Sequence, residues 1–136
     1  MNATLDKLQP LALLITRVVA GYMFLLHGTS KFFEFPMSMT NGNGSVPLFS
    51  IYGVGGILEI VGGTFFILGL FTRQTAFILS GMMAYAFFII HGAQGNVLLP
   101  LLNGGELAGL YSVLFLTFIF IGGGKYSLDA KLFNKA

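Results

Sequence analysis

Cysteine is absent from the chain, which excludes a disulfide, a thiol redox centre and a thiolate metal site on this polypeptide. Tryptophan is absent too, so tyrosine and phenylalanine must supply any aromatics at a membrane surface. Charge is scarce: 9% of 136 residues are Asp, Glu, Lys or Arg, against about 25% in a soluble domain. Seven basic and five acidic residues leave a formal net charge of +2, too weak and scattered for a nucleic-acid surface, so no nucleic acid is expected as a partner. What fills the chain instead is apolar, 55% of residues with a mean hydropathy of +0.84. This is the composition of an integral membrane protein in contact with lipid. Appended soluble domains, low-complexity tracts and long linkers are not evident, so residues 1–136 read as a single membrane domain.

A helix needs about 20 residues, at 1.5 Å each, to cross roughly 30 Å of hydrocarbon. Four stretches qualify, at about Leu8–His27, Leu48–Phe71, Thr75–His91 and Glu106–Gly123. All are continuously apolar without period-2 alternation, which predicts an all-α, integral membrane four-helix bundle rather than a barrel. Pro10 falls in the opening turn of the first span, where its missing N–H is harmless. Arg17 lies inside that span, so the segment reads as a membrane helix and not as a cleavable signal peptide. Loop 32–47 opens with aromatics and an acid and then turns polar and glycine-rich, Thr72-Arg73-Gln74 reads as a tight turn, and residues 92–105 carry no charge. Placing both termini in the cytoplasm puts Lys7, Arg73, Lys125, Lys131 and Lys135 inside and only Lys31 outside, the bias expected of a multi-pass protein in that orientation.

Two charges fall mid-span, Arg17 in the first and Glu59 in the second. A charge at the bilayer centre costs at least about 2.5–3.5 kcal/mol on insertion scales, so such residues face the protein interior and find partners. Arg17, Gly21, Phe24, Gly28 and Lys31 fall within about 90° of one another at 100° per residue. In the second span Gly55, Gly62 and Gly69 recur every seven residues, with Gly56 and Gly63 beside them; small residues let helices approach closely in lipid. Packing these stripes together predicts a direct Arg17–Glu59 ion pair, serving helix register, function or both. Phe24-Leu25-Leu26-His27-Gly28 also resembles Phe88-Ile89-Ile90-His91-Gly92, 64 residues later. Arg17 and Glu59 have no counterparts at that offset, so a two-hairpin repeat is only faintly written.

His27, Lys31, Glu34, His91 and Glu106 gather at the outer ends of three helices. Histidine titrates near neutrality and both accepts and donates, which suits a proton relay or a quinone headgroup. Structural capping of helix ends by polar side chains and a divalent metal site are the alternatives; a haem held by His27 and His91 fits poorly, because both sit at helix ends. A small-molecule site is expected in the outer half of the bundle, walled by Phe24, Phe66 and Phe88, closed by His27, His91 and Glu106, and floored by Arg17 and Glu59. Phe66 is displaced toward the cytoplasmic end. No metal and no specific catalytic residue is assigned.

These residues also fall in recurring patterns. The first span carries R-x3-G-x2-F-x2-HG-x2-K from Arg17 to Lys31; the second carries E-x2-GG-x5-GL-x-TR from Glu59 to Arg73. The fourth carries GGEL-x3-Y from Gly104 to Tyr111, and the tail carries GGGKYSLD from Gly122 to Asp129. Over nearly its whole length the chain resembles the DoxX family of small bacterial and archaeal inner-membrane proteins. The resemblance implies a four-helix protein of the bacterial inner membrane linked, in some members, to redox work. Some relatives form the membrane subunit of a thiosulfate:quinone oxidoreductase, and others associate with oxidative-stress and thiol-handling enzymes. Two functions are therefore carried forward: a redox-associated subunit, possible homo-oligomer and partner of a redox enzyme, that binds a quinone or similar lipid-soluble molecule; and a non-catalytic scaffold or small-solute carrier with a structural ion pair.

Overall fold

Helix α1 runs from Asn2 to Phe33, longer at both ends than hydropathy marks, in the computed structural model, which describes residues 2–134. Lys135, one of the basic residues behind the expected orientation, lies outside the described residues. Polar and charged residues before Leu8 continue the helix beyond its apolar stretch. Pro10 is consequently well inside α1 rather than in its first turn, where the missing N–H leaves the carbonyl of exposed Asp6 without its helical partner.

Helix α2 spans Ile51–Leu68. Ser50 caps it, its hydroxyl accepting the Gly53 N–H at 3.0 Å. Gly69 ends it in the left-handed region (φ 66°), and Leu70 N–H closes back on the Phe65 carbonyl at 3.0 Å. Helix α3 starts at once, Thr72–Tyr85, so the turn is Gly69-Leu70-Phe71, and the predicted Thr72-Arg73-Gln74 turn is already helical. The expected third span then changes character: Ala86–His91 is a π-helical turn and Gly92–Gln94 a 3-10 turn. A short α4, Pro100–Asn103, lies inside the stretch expected to be loop. Helix α5, Glu106–Ile121, is 16 residues long, about 24 Å, and stops at Gly122 (φ 73°) rather than Gly123. A sixth helix, α6, Leu128–Phe133, follows unforeseen. Among the described residues every regular element is helical; α1, α2 and α3 with its extension are long and apolar enough to span a membrane, and α5 is a shorter apolar helix.

The long helices form two antiparallel pairs, α1 on α2 and α3 on α5, joined by the α2–α3 turn. Glycines set the first pair: a Cβ on Gly21 would lie 2.9 Å from the Gly63 carbonyl, and one on Gly28 2.8 Å from the Gly56 carbonyl. Backbone therefore touches backbone along this seam. The second pair is tied by Ser80 and Ser112, each hydroxyl donating to the other residue's carbonyl, at 2.9 and 3.2 Å. Between the pairs lies an aromatic core: the Phe66 ring packs edge-on against Phe115 and Phe118 at 5.0 and 4.9 Å, and Phe24 against Phe115 at 5.1 Å. The bundle has a turn end, with the α2–α3 turn and α6, and a loop end, with residues 34–50 and 92–105.

Candidate functional site

The antiparallel register of α1 and α2 decides which charges meet. With Gly21 against Gly63 and Ile67, and Gly28 against Gly56 and Ile60, Glu59 faces the segment around His27, while Arg17 faces Gly69. The two levels are ten residues apart along α1, about 15 Å. The expected Arg17–Glu59 pair therefore does not form. Glu59 is instead held by Lys31, whose ammonium lies 2.6 Å from both carboxylate oxygens, with both side chains largely buried. Lys31 belongs to the predicted stripe on α1. Arg17 and Glu59 each stand near the middle of their own helix, but the glycine register sets the two helices out of step, so that Arg17 lies level with the end of α2.

Arg17 works at the turn end. Its Nη1 donates to the Gly123 carbonyl at 2.8 Å and its Nη2 to the Tyr126 carbonyl at 2.7 Å; the residue is 1% exposed and Nε has no partner. Gly69 is obligatory beside it, because a Cβ there would collide with the guanidinium. Asp129 of α6 completes this network: its two carboxylate oxygens accept the Phe71 and Thr72 N–H groups, both at 2.7 Å, capping α3 from another helix. Arg73 donates to the Ile119 and Phe120 carbonyls at 2.8 and 2.6 Å, at the end of α5. These contacts hold helix ends together and leave Arg17 far from any outer site.

At the loop end the two pairs part around a cavity of about 450 Å³. Of the residues singled out from sequence, Phe24, His27, Lys31, Glu59 and His91 line it. Arg17, Phe66, Phe88 and Glu106 do not. Phe66 is fully buried in the aromatic core beneath it. Phe88 is 59% exposed, because the wider π turn takes it off the face it would share with His91 in an α-helix. Glu106 is exposed in the first turn of α5, a favourable place for an acid at a helix N-terminus. Among the described residues no three His, Asp or Glu side chains are grouped to hold a metal ion.

Sequence reasoning missed several lining residues: Tyr52, Met39, Met82, Met83, Gln94 and Tyr111. Tyr111 matters most. It is 6% exposed, stacks on Phe115 at 5.7 Å, meets His27 edge-on at 6.5 Å, and its hydroxyl has no hydrogen-bond partner. A signal was available: along the buried face of α5, Ala108, Tyr111, Phe115 and Phe118, only the tyrosine is polar. His91 is fixed by its Nδ1, 3.1 Å from the Asn103 carbonyl. A carbonyl only accepts, so Nδ1 carries the proton and, in the neutral ring, Nε2 is left as an acceptor. Gly105 makes room for this, since a Cβ there would sit 3.0 Å from that of His91. The cavity thus joins an ammonium–carboxylate pair, a free phenol and two imidazoles to thioether and aromatic walls, the mix of apolar lining and few converging polar groups typical of small-ligand sites.

A family model described as DoxX matches residues 12–92 of the chain. An uncharacterized protein of Haemophilus influenzae is 57% identical over 134 residues, covering 96% of this chain and 98% of the relative. No solved structure matches.

Proposed function

The chain belongs to the DoxX family, and from that premise we propose that it is a redox-associated subunit of the bacterial inner membrane that binds a quinone-like molecule in the loop-end cavity. The turn end, with Arg73, Lys125 and Lys131, faces the cytoplasm, as the basic bias requires. A redox enzyme subunit is the partner such a role implies. The observation that carries the reading is the Tyr111 hydroxyl, buried without a partner at the edge of an aromatic and methionine-walled cavity. An unpaired buried hydroxyl costs about 1–3 kcal/mol, which a ligand carbonyl oxygen would recover. Lys31, held to Glu59, offers further N–H donors toward a second oxygen. His27 and His91 are placed on the same cavity to exchange protons. A bound quinone would supply two-electron, two-proton redox chemistry; this chain's residues bind the ring, orient its oxygens and keep bulk water from it.

The test follows thermal stability while a benzoquinone with a decyl tail is titrated into purified protein. Binding to the native state must raise stability, by about 2.7 kcal/mol at one hundred times the dissociation constant. Tyr111→Phe is expected to stabilise the ligand-free protein by up to about 1–3 kcal/mol, since the cost of the unpaired hydroxyl is removed and no hydrogen bond is lost, and to weaken binding by about 1 kcal/mol, roughly fivefold. No stabilisation of the wild type by the quinone would favour the scaffold or carrier reading instead.

A further inference from the structure

We propose that the cavity opens sideways into the membrane through a gap between α2 and α3, and that the gap receives the hydrocarbon tail of a lipid-soluble molecule. The two helices are joined by a tight turn and pack closely near it: a Cβ on Gly62 would lie 2.7 Å from Leu79 Cδ2. Two turns farther along α2 the contact is gone. A Cβ on Gly55 would meet only the Lys31 ammonium, at 3.9 Å, and no atom of α3 within 4 Å. Tyr52 and Gly55 on one side, and Met82 and Tyr85 on the other, line the cavity where the helices diverge. Both tyrosines are about half exposed, and none of these four residues bears a charge.

The depth of this gap follows from its surroundings. At the loop end Phe49 is 96% exposed, Leu98 84% and Leu102 79%, and residues 92–105 contain no charged side chain. Such a surface is accommodated by burial at the headgroup–acyl boundary. The gap, lying on the turn-end side of that boundary, faces acyl chains rather than water. A water-soluble ligand would have to cross an apolar rim to reach Lys31 and Glu59, whereas an amphiphile already dissolved in the bilayer can slide its polar head inward and leave its tail between the helices. For the head this rests on the quinone reading; for the tail it does not.

Because the chain has no tryptophan, Tyr85→Trp gives a single indole at the mouth and Met83→Trp one in the cavity wall. In vesicles of phosphatidylcholine dibrominated along the acyl chain, both are expected to lose at least half their fluorescence, while aqueous iodide quenches them weakly. Gly55→Phe, placed where the structure leaves open space, is expected to cut bromolipid quenching of Met83→Trp at least twofold with the thermal midpoint unchanged. Iodide quenching without bromolipid quenching would overturn the lateral opening, and unchanged quenching in Gly55→Phe would overturn entry by this gap. Protection from both quenchers in a crosslinkable dimer would put a second copy there and equally overturn it. Bromolipid quenching in a protein that quinones do not stabilise would retain the opening, with a lipid tail as occupant, and remove the quinone.

Discussion

At the scale of single residues, the two mid-span charges have unrelated tasks. Arg17 spans two carbonyls of the segment after α5, while Glu59 neutralises Lys31 beside the cavity. Arg17→Met leaves the buried Gly123 carbonyl and the part-buried Tyr126 carbonyl without their donor and is expected to cost at least about 1–3 kcal/mol, the penalty for the first alone. Arg17→Lys should not restore this, because an ammonium lacks the planar fork that reaches both oxygens. In a double-mutant cycle by unfolding in detergent, Lys31→Leu and Glu59→Leu should couple by about 1–3 kcal/mol. Arg17→Met and Glu59→Leu should add within about 0.5 kcal/mol, being far apart with no shared partner. That a charge in lipid must be paired was legible from sequence. Which partner it takes was not, since the glycine seam fixes the level of one helix against the other and hydropathy does not report helix ends to that accuracy. Tyr111 was legible only as the lone polar group on a buried face, and its lack of a partner is a fact of packing.

At the scale of elements, small residues behave according to their neighbours. Gly21→Val must push into the Gly63 carbonyl, and backbone cannot yield as a side chain can. It is expected to separate α1 from α2 and lower the thermal midpoint sharply. Gly81→Ala on α3 meets nothing within 4 Å and should raise stability by up to about 1 kcal/mol through helix propensity. The seven-residue pattern of Gly55, Gly62 and Gly69 is not the seam, which is formed by Gly56 and Gly63 beside it; Gly62 receives Leu79, Gly55 lines the cavity and Gly69 ends the helix. The π turn had no sequence signature, because an i→i+5 bond is a choice among neighbouring carbonyls that leaves composition unchanged.

The loop after α1 is an element of its own. Glu34 Oε1 accepts from the Ser38 hydroxyl at 2.7 Å, the Gly44 N–H at 3.1 Å and the Thr40 hydroxyl at 3.1 Å. The bonds from Ser38 and then Gly44 hold its carboxyl below the usual glutamate range. The sign follows: the stabilisation is present above the unfolded glutamate value and is lost as pH falls through the lowered folded one. An NMR titration should show the Gly44 amide resonance moving on acidification with a midpoint below that of an ordinary glutamate. In Glu34→Gln the transition should vanish.

At the scale of the whole molecule, the bundle is two helix pairs locked at one end and parted at the other. The lock is made by Arg17, Arg73 and Asp129, the parting by a cavity that separates α2 from α3. The four apolar helices and their order could be read from hydropathy. The asymmetry could not, because it arises from contacts between segments distant along the chain. A chain ending after Ile121 keeps all four apolar helices but lacks the Gly123 and Tyr126 carbonyls and the Asp129 carboxylate. It is expected to insert into membranes yet be digested by added protease at least tenfold faster than the full chain.

That lock also sets a schedule for biosynthesis. Arg17 leaves the ribosome 106 and 109 positions ahead of its two acceptors. Until residues 123–129 have been made, α1 therefore sits in the bilayer with its guanidinium unanswered, and α3 with its first N–H groups uncapped. Synthesis of residues 123–129 supplies both needs together. The nascent protein remains a loose set of inserted helices until those residues arrive, then closes in one step, so a quality-control protease that recognises an exposed Arg17 would spare only chains that extend past Asp129.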